Sequence, residues 1–205
     1  MSLLAEGFLS TVALTLLSFA GAFSLGVCVV VLRVVPVPVL RAVGTAYVET
    51  FQNVPLLVWL VLFVFGLPEA GITFPLFWTA ALVISLYEAA YVAEALRSGV
   101  NSVARGQGEA ARALGLTTAQ SLRHVVVPQA LRRVVQPVAN IAIALTMATS
   151  LAGAVGVVEL TRAANRINLD LAQPVLVFAG AGLCYLGLAA GIGALAGLVE
   201  RRVAH

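Results

Sequence analysis

Residues 105–128, RGQGEAARALGLTTAQSLRHVVVP, form the longest polar, basic interruption in an otherwise apolar chain. Gly106 and Gly108 are expected to break whatever precedes them, and Glu109 to Leu114 are good helix formers. Glu109 in the first turn and Arg112 in the last suit the dipole of a short helix. Gly115 fits the left-handed position that closes a helix. Thr117 with Gln120 matches a capping box that opens the next one. Pro128 ends that second helix and can begin a third. This predicts a two-turn helix, a tight glycine corner, a second helix and a proline joint. So short a helix is marginal in water unless it docks on something. Ala110, Ala113 and Leu114 share one face by i, i+3, i+4 spacing, and alanine lets another surface come close. The same residues also fit a plain solvated helix between two membrane spans.

The surrounding chain sets the class. It has 205 residues, 61% hydrophobic and 10% charged, with a mean hydropathy of +1.03. That is more apolar surface than a soluble domain needs and suits a multi-pass membrane protein. The fold class expected is all-α integral membrane, one domain over residues 1–205, with spans at about 8–32, 54–67, 74–96, 136–158 and 174–199. Residues 97–133 form the polar loop. Residues 40–53 are amphipathic and expected at the cytoplasmic interface. The run from Leu56 to Leu67 is short for a crossing, so it should begin earlier or be sheltered by protein. Gly66 to Thr73 reads as a tight turn, and Glu159 to Gln173 as a polar amphipathic segment. No basic n-region precedes the first apolar run, which is read as a retained span, not a cleaved leader.

Charge gives the orientation. With the N-terminus outside, Arg33, Arg41, Arg97, Arg105, Arg112, Arg123, Arg132, Arg133, Arg201 and Arg202 face the cytoplasm, and only Arg162 and Arg166 lie outside. The opposite orientation inverts that ratio. The C-terminus and the polar loop are then cytoplasmic.

All twelve basic residues are arginine. A Walker-type phosphate loop needs a lysine, so this chain cannot supply one, and an ATP-driven process would need another chain to bind the nucleotide. The arginines are spread over the ends of apolar runs, which argues against a nucleic-acid partner. Cys28 and Cys184 sit inside apolar runs as small hydrophobes, with no metal spacing. His124 and His205 lack any nucleophile or carboxylate constellation. No catalytic site, metal site or bound cofactor is expected.

Glu88 falls near the middle of the third span, where an ionised carboxylate costs at least ~2.5–3.5 kcal/mol and must face protein or water. It reads either as a pathway residue that senses an ammonium group or as a carboxyl bonded to a neighbouring helix. Glu94 lies near the cytoplasmic end, within reach of Arg97, and suits an ion pair. Asn140, Thr146, Thr149 and Ser150 add polar groups to the fourth span and are further pathway candidates. Gly187, Gly191, Gly193 and Gly197 give the fifth span two close-approach motifs, within one subunit or between two.

The residues also carry a likeness. Glu109-Ala110-Ala111, three residues, Gly115, nine residues and Val125-Val126-Val127-Pro128 resemble the EAA loop of ABC importer permeases, where the pattern ends Ile-x-Leu-Pro. Ala90-Tyr91-Val92-Ala93-Glu94, Arg97-Ser98-Gly99-Val100, Gly106-Gln107, Pro128-Gln129-Ala130-Leu131-Arg132 and Tyr47 through Leu57 resemble the polar amino-acid branch. The likeness covers about residues 10–200. It implies a type I importer permease of five spans in the cell membrane. Two such subunits, a homo- or heterodimer in the bilayer, form the path. An extracytoplasmic amino-acid-binding protein delivers substrate on the Glu159–Gln173 side. ABC ATPase subunits grip the helix of Glu109, Ala110, Ala111, Ala113, Leu114 and Gly115, ahead of Pro128. A glutamate-type substrate is the one most resembled. Two features depart from the pattern: Met147-Ala148 stand where a charged pair is usual, and Gln52 and Val54 where Arg and Thr are favoured. These suit a heterodimer whose other permease keeps the missing groups. The alternatives are a secondary carrier or channel for small polar solutes, which would need its own repeats or ion site, and a non-transporting membrane scaffold.

Overall fold

The computed structural model describes residues 2–204. His205, one of the two histidines considered above, lies outside the described residues. All the regular structure described is helical: α1 (Ser2–Val34), α2 (Pro38–Asn53), α3 (Leu56–Val61), α4 (Leu67–Glu69), α5 (Leu76–Asn101), α6 (Arg105–Ala113), α7 (Thr118–Ser121), α8 (Val127–Ala148), α9 (Leu160–Leu171) and α10 (Pro174–Ala204). Four stretches are long and apolar enough to cross a membrane unaided: Leu3–Val34, Leu76–Asn101, Thr118–Gly153 and Pro174–Arg202. A fifth is a broken pair, Pro38–Asn53 with Leu56–Glu69, bent by 98°.

That broken pair sets the amphipathic helix of residues 40–53 at a steep angle to the apolar run that follows it. α2 lies against α1 and α5. The Tyr47 hydroxyl donates to the carbonyl of Leu86 at 2.5 Å, and the Gln52 amide to that of Ala90 at 3.4 Å. Arg41 and Glu49, the other polar residues of the amphipathic pattern, stay exposed. Pro55 forces the corner, because a residue before proline avoids helical geometry and Asn53–Val54 must open out. The short run 56–67 follows this corner, and only the pair Pro38–Asn53 with Leu56–Glu69 together has the length and composition of one broken span or a re-entrant loop.

Two π-helical turns, Leu62–Gly66 and Leu122–Val126, each sit just ahead of a proline, Pro68 and Pro128. Proline cannot donate a backbone hydrogen bond, and its ring crowds the carbonyl four residues back. Those carbonyls belong to Val64 and His124, inside the two wide turns. The wider winding lets the helix continue. Hence Pro128 is no joint: α7, the π turn and α8 run on from Thr118, and a 3-10 turn, Thr149–Gly153, extends the end of α8. The fourth apolar run leaves the helix at Gly153, short of the expected residue 158, and turns at Gly156. Likewise the expected 66–73 turn falls later, with Gly71 closing α4 at φ 81°.

α1 and α5 are the central pair. Their shared core includes Leu14, Ala22, Ala80, Val83, Ile84, Ala89 and Val92, reinforced by Leu145 of α8. Bulk and alanine alternate, so the helices approach closely where no hydrophobic force separates helix from lipid. α10 rests on α8 and α9 and is otherwise open. Gly187, Gly191, Gly193 and Gly197 have no packing neighbour where a side chain would project, so they do not serve contacts within the described chain.

Candidate functional site

α6 begins at Arg105, four residues before its expected start, so Gly106 and Gly108 are inside the helix and Glu109 stands at its middle. The far end matches the sequence. Gly115 takes φ +88°, its N–H meets the Arg112 carbonyl at 2.9 Å, and Leu116 N–H meets that of Ala111 at 3.2 Å. This pair of bonds is the Schellman closure. Thr117 then caps α7 with both halves of the box present: Gln120 N–H to Thr117 Oγ1 at 3.3 Å, and Thr117 N–H to Gln120 Oε1 at 2.9 Å.

The resulting knob has an inner and an outer side. It rests on α7 and the following π turn, with Ala111 buried. Glu109, Ala110, Ala113 and Gly115 face out, and Leu114 is 82% exposed. Pro128, grouped with these residues by its motif, is instead part of the helix that carries the knob.

The knob is fixed to the bundle at its base. The Arg133 guanidinium donates to the Ser102 carbonyl, joining α8 to the end of α5. Gly99 lies where α5 crosses α8; a side chain there would collide with Val134. One turn further in, Glu94 pairs with both Arg33 of α1 and Arg97. The Glu94–Arg97 pair was legible from spacing; the bridge to Arg33, 61 residues away, was not. Only residues 102–117 lie between the two long helices, so much of the 97–133 loop is helical extension.

Up the same two helices lies an open-sided groove of about 580 Å³, lined by Tyr87, Glu88 and Tyr91 of α5, Asn140 and Ala148 of α8, and Pro55 at the bend. The bend in the second span thus forms part of its wall. Tyr87 and Tyr91 hydroxyls meet at 3.1 Å. Glu88 is 5% exposed, and among the described residues no group hydrogen-bonds its carboxyl. Glu88 is the one carboxylate on the groove and no arginine lines it. Ala148 is on the wall, so the missing charge at Met147-Ala148 is a charge missing from the groove.

The other candidates separate. Thr146 and Thr149 are buried and bond their own helix, to the Ala142 carbonyl at 2.8 Å and the Thr146 carbonyl at 2.7 Å. They do not line the groove. A hydroxyl in an apolar helix satisfies itself this way when no partner faces it. Ser150 lies at a different cavity, towards the far end.

That far end holds a residue the sequence did not single out. Glu159 is fully buried and caps α9: Oε1 accepts from Arg162 N–H at 2.7 Å, and Oε2 from Thr161 N–H at 2.8 Å and Tyr185 Oη at 2.9 Å. Thr11 of α1 accepts from Leu160 N–H at 3.1 Å. The knot ties α1, α9 and α10 together. A carboxylate followed closely by Thr161 and Arg162 at a helix start was the available signal, but the contacts with Thr11 and Tyr185 are not local in sequence.

A helical bundle of four or five candidate spans with an outward-pointing helical knob at one end and a polar groove within suits the membrane permease of a transport system. Residues 22–205 match the family described as "Binding-protein-dependent transport system inner membrane component", and the chain belongs to it. It is a multi-pass inner-membrane subunit, with ATP hydrolysis residing in a separate chain. It is 35% identical over 202 residues, 98% of this chain and 94% of the relative, to the probable glutamine ABC transporter permease protein GlnM of Bacillus subtilis. It is 37% identical over 213 residues, 97% of this chain and 93% of the relative, to the glutamate transport system permease protein GluC of Corynebacterium glutamicum. Its fold superposes with a TM-score of 0.92, at 29% identity and covering 98% and 94% of the two chains, on a structure described as an amino acid ABC transporter with histidines.

Proposed function

We propose that this chain is the permease through which a polar amino acid of the glutamine or glutamate type enters the cytoplasm, worked by separate ATPase subunits that grip the α6 knob. The observation that carries the reading is continuity. A rigidly capped, outward-facing contact at Glu109–Gly115 stands on the same two helices, α5 and α8, that wall the groove holding Glu88 and Asn140. Ten of the twelve arginines belong to segments at the knob end, which supports placing that end in the cytoplasm and the N-terminus outside. An extracytoplasmic binding protein would then meet the Glu159–Gln173 end, and a second permease would close the open side of the groove.

Glu88 is placed to meet the ammonium group of the substrate. The groove offers no fixed cation for a carboxylate, so that group falls to the second permease, which favours a heterodimer. The decisive experiment is reconstitution. Solute uptake should require the ATPase, the binding protein and ATP, and retention of the ATPase in a pull-down should depend on residues 109–116. Uptake by this chain alone into liposomes without ATP overturns the proposal. Within it, a Glu88→Gln variant should weaken substrate affinity and alter the pH profile of transport; unchanged values of both remove Glu88 from the path.

A further inference from the structure

A cavity of about 500 Å³ opens beside α9 at the end opposite the knob. Gly153, Glu159, Arg162, Asn165, Arg166 and Phe178 are among its lining residues. Arg162 and Arg166 are the two arginines that the charge pattern leaves at this end, and here they meet in one place. Residues 162, 165 and 166 share a face of α9 by their i, i+3, i+4 spacing.

The hydrogen bonding of this cavity is one-sided. Arg162 Nη1 donates to the Gly153 carbonyl at 2.8 Å, which fixes the guanidinium, while its Nε–H is buried with no acceptor. Arg166 is exposed and makes no ion pair among the described residues. Glu159, the one carboxylate among the lining residues, already accepts from two backbone amides and Tyr185. The cavity thus has fixed donors and surplus positive charge, and its only anion is committed elsewhere. A guanidinium with a free edge takes a carboxylate in forked geometry.

We infer that this cavity is a carboxylate-binding site for an acidic side chain presented by an extracytoplasmic partner protein. The extracytoplasmic assignment rests on the orientation proposed above. A free amino acid fits less well, because its ammonium group would find no uncommitted anion among the lining residues. Leu169, 75% exposed at the rim, and Phe178 offer the apolar surround that a protein surface can cover and a small ion cannot.

The test uses the assembled transporter in phosphatidylcholine nanodiscs and a fluorescent hexaglutamate peptide as probe. The peptide should bind, and Arg166→Gln should weaken it about tenfold, the loss of one charge-assisted contact. Arg166 makes no bond that holds the fold, so this variant stays folded even if Arg162→Gln does not. An Arg201→Gln/Arg202→Gln variant should bind as the parent does. Unchanged binding in Arg166→Gln overturns the inference. So does displacement of the peptide by free glutamate or inorganic phosphate at the same concentration, which would mark a small-anion site. Nanodiscs expose both faces, so this result does not depend on orientation. Labelling of Leu169→Cys by an impermeant maleimide on intact cells reads orientation separately: labelling supports an extracytoplasmic partner, and protection overturns that assignment while leaving the carboxylate site to stand.

Discussion

Replacing Gly115 isolates the conformational demand of the knob from its contacts. The residue sits at φ +88°, and a Cβ built there meets nothing within 4 Å. A side chain would therefore be strained by the backbone alone, with no clash to relieve. For an L-residue the left-handed region costs roughly 1–2 kcal/mol, more for a β-branched side chain and less for asparagine. A penalty of that size shifts the closed cap by about five- to thirtyfold towards open forms. The two bonds that close α6, from Gly115 and Leu116, are the ones lost. The nine-residue helix then frays at the end that carries Leu114. Coupling should fall in the order Gly, Asn, Ala, Val, read as ATPase retained in a pull-down and as ATP-driven uptake in proteoliposomes. The melting temperature of the bundle should hardly move, since the site is exposed. Asparagine and valine are similar in size, so they separate conformation from bulk. If Gly115→Asn fails as completely as Gly115→Val, crowding at the docked surface is the cause and the conformational reasoning is wrong. Normal coupling in Gly115→Val rules out a role for the closed cap altogether.

Other perturbations follow from single contacts. Leu114→Ser removes an 82% exposed side chain, so fold stability should stay within about 0.5 kcal/mol, while the ATPase should be held about ten- to a hundredfold more weakly if that leucine is buried on docking; a pull-down reads both possibilities. Glu159→Ala leaves two backbone amides and the Tyr185 hydroxyl without their acceptor; a loss of about 3–5 kcal/mol is expected, seen as a lower melting temperature, and an unshifted melt contradicts the knot. Glu94→Gln takes the shared charge from Arg33 and Arg97; ATP hydrolysis should continue while uptake per ATP falls, and equal loss of both would point to failed assembly.

What could be read from the sequence was local, and what escaped it was tertiary. The glycine cap and the capping box are decided within six residues, so Gly115, Thr117 and Gln120 announced themselves. Four of the apolar runs stand out from the sequence because length and hydropathy are also local. The packing of α2 on α5 was not legible, because nothing local shows that the carbonyls of Leu86 and Ala90 take Tyr47 and Gln52. Pro128 looked like a joint because the rule against proline inside a helix assumes regular winding, and the π turn at Leu122–Val126 relaxes it. Among the pathway candidates, polarity alone could not tell Asn140, which faces the groove, from Thr146 and Thr149, which satisfy themselves within their own helix. The heptad-scale position around the helix decides that, and it depends on which neighbour the helix meets.

The structure also limits how a push on the knob can be absorbed. A loop would take it up by bending, but residues 102–117 are short, capped at the α6–α7 corner and tied at the base by Arg133 to Ser102. Where α5 crosses α8, Gly99 and Val134 leave no room for the helices to slide closer. Glu94 adds α1 to the same block through Arg33. Packed interfaces of this kind switch between arrangements and do not deform smoothly. On the proposed function, displacement at Leu114 is passed along α5 and α8 as a tilt of both. Glu88 and Asn140 stand on those two helices facing one groove, whereas Pro55 belongs to the bent second span, braced on α5 by Tyr47 and Gln52. A tilt that changes the α5–α8 separation therefore opens or narrows the groove against the bend, and the ion pairs at Glu94 determine whether that motion is shared by α1 or lost before it arrives.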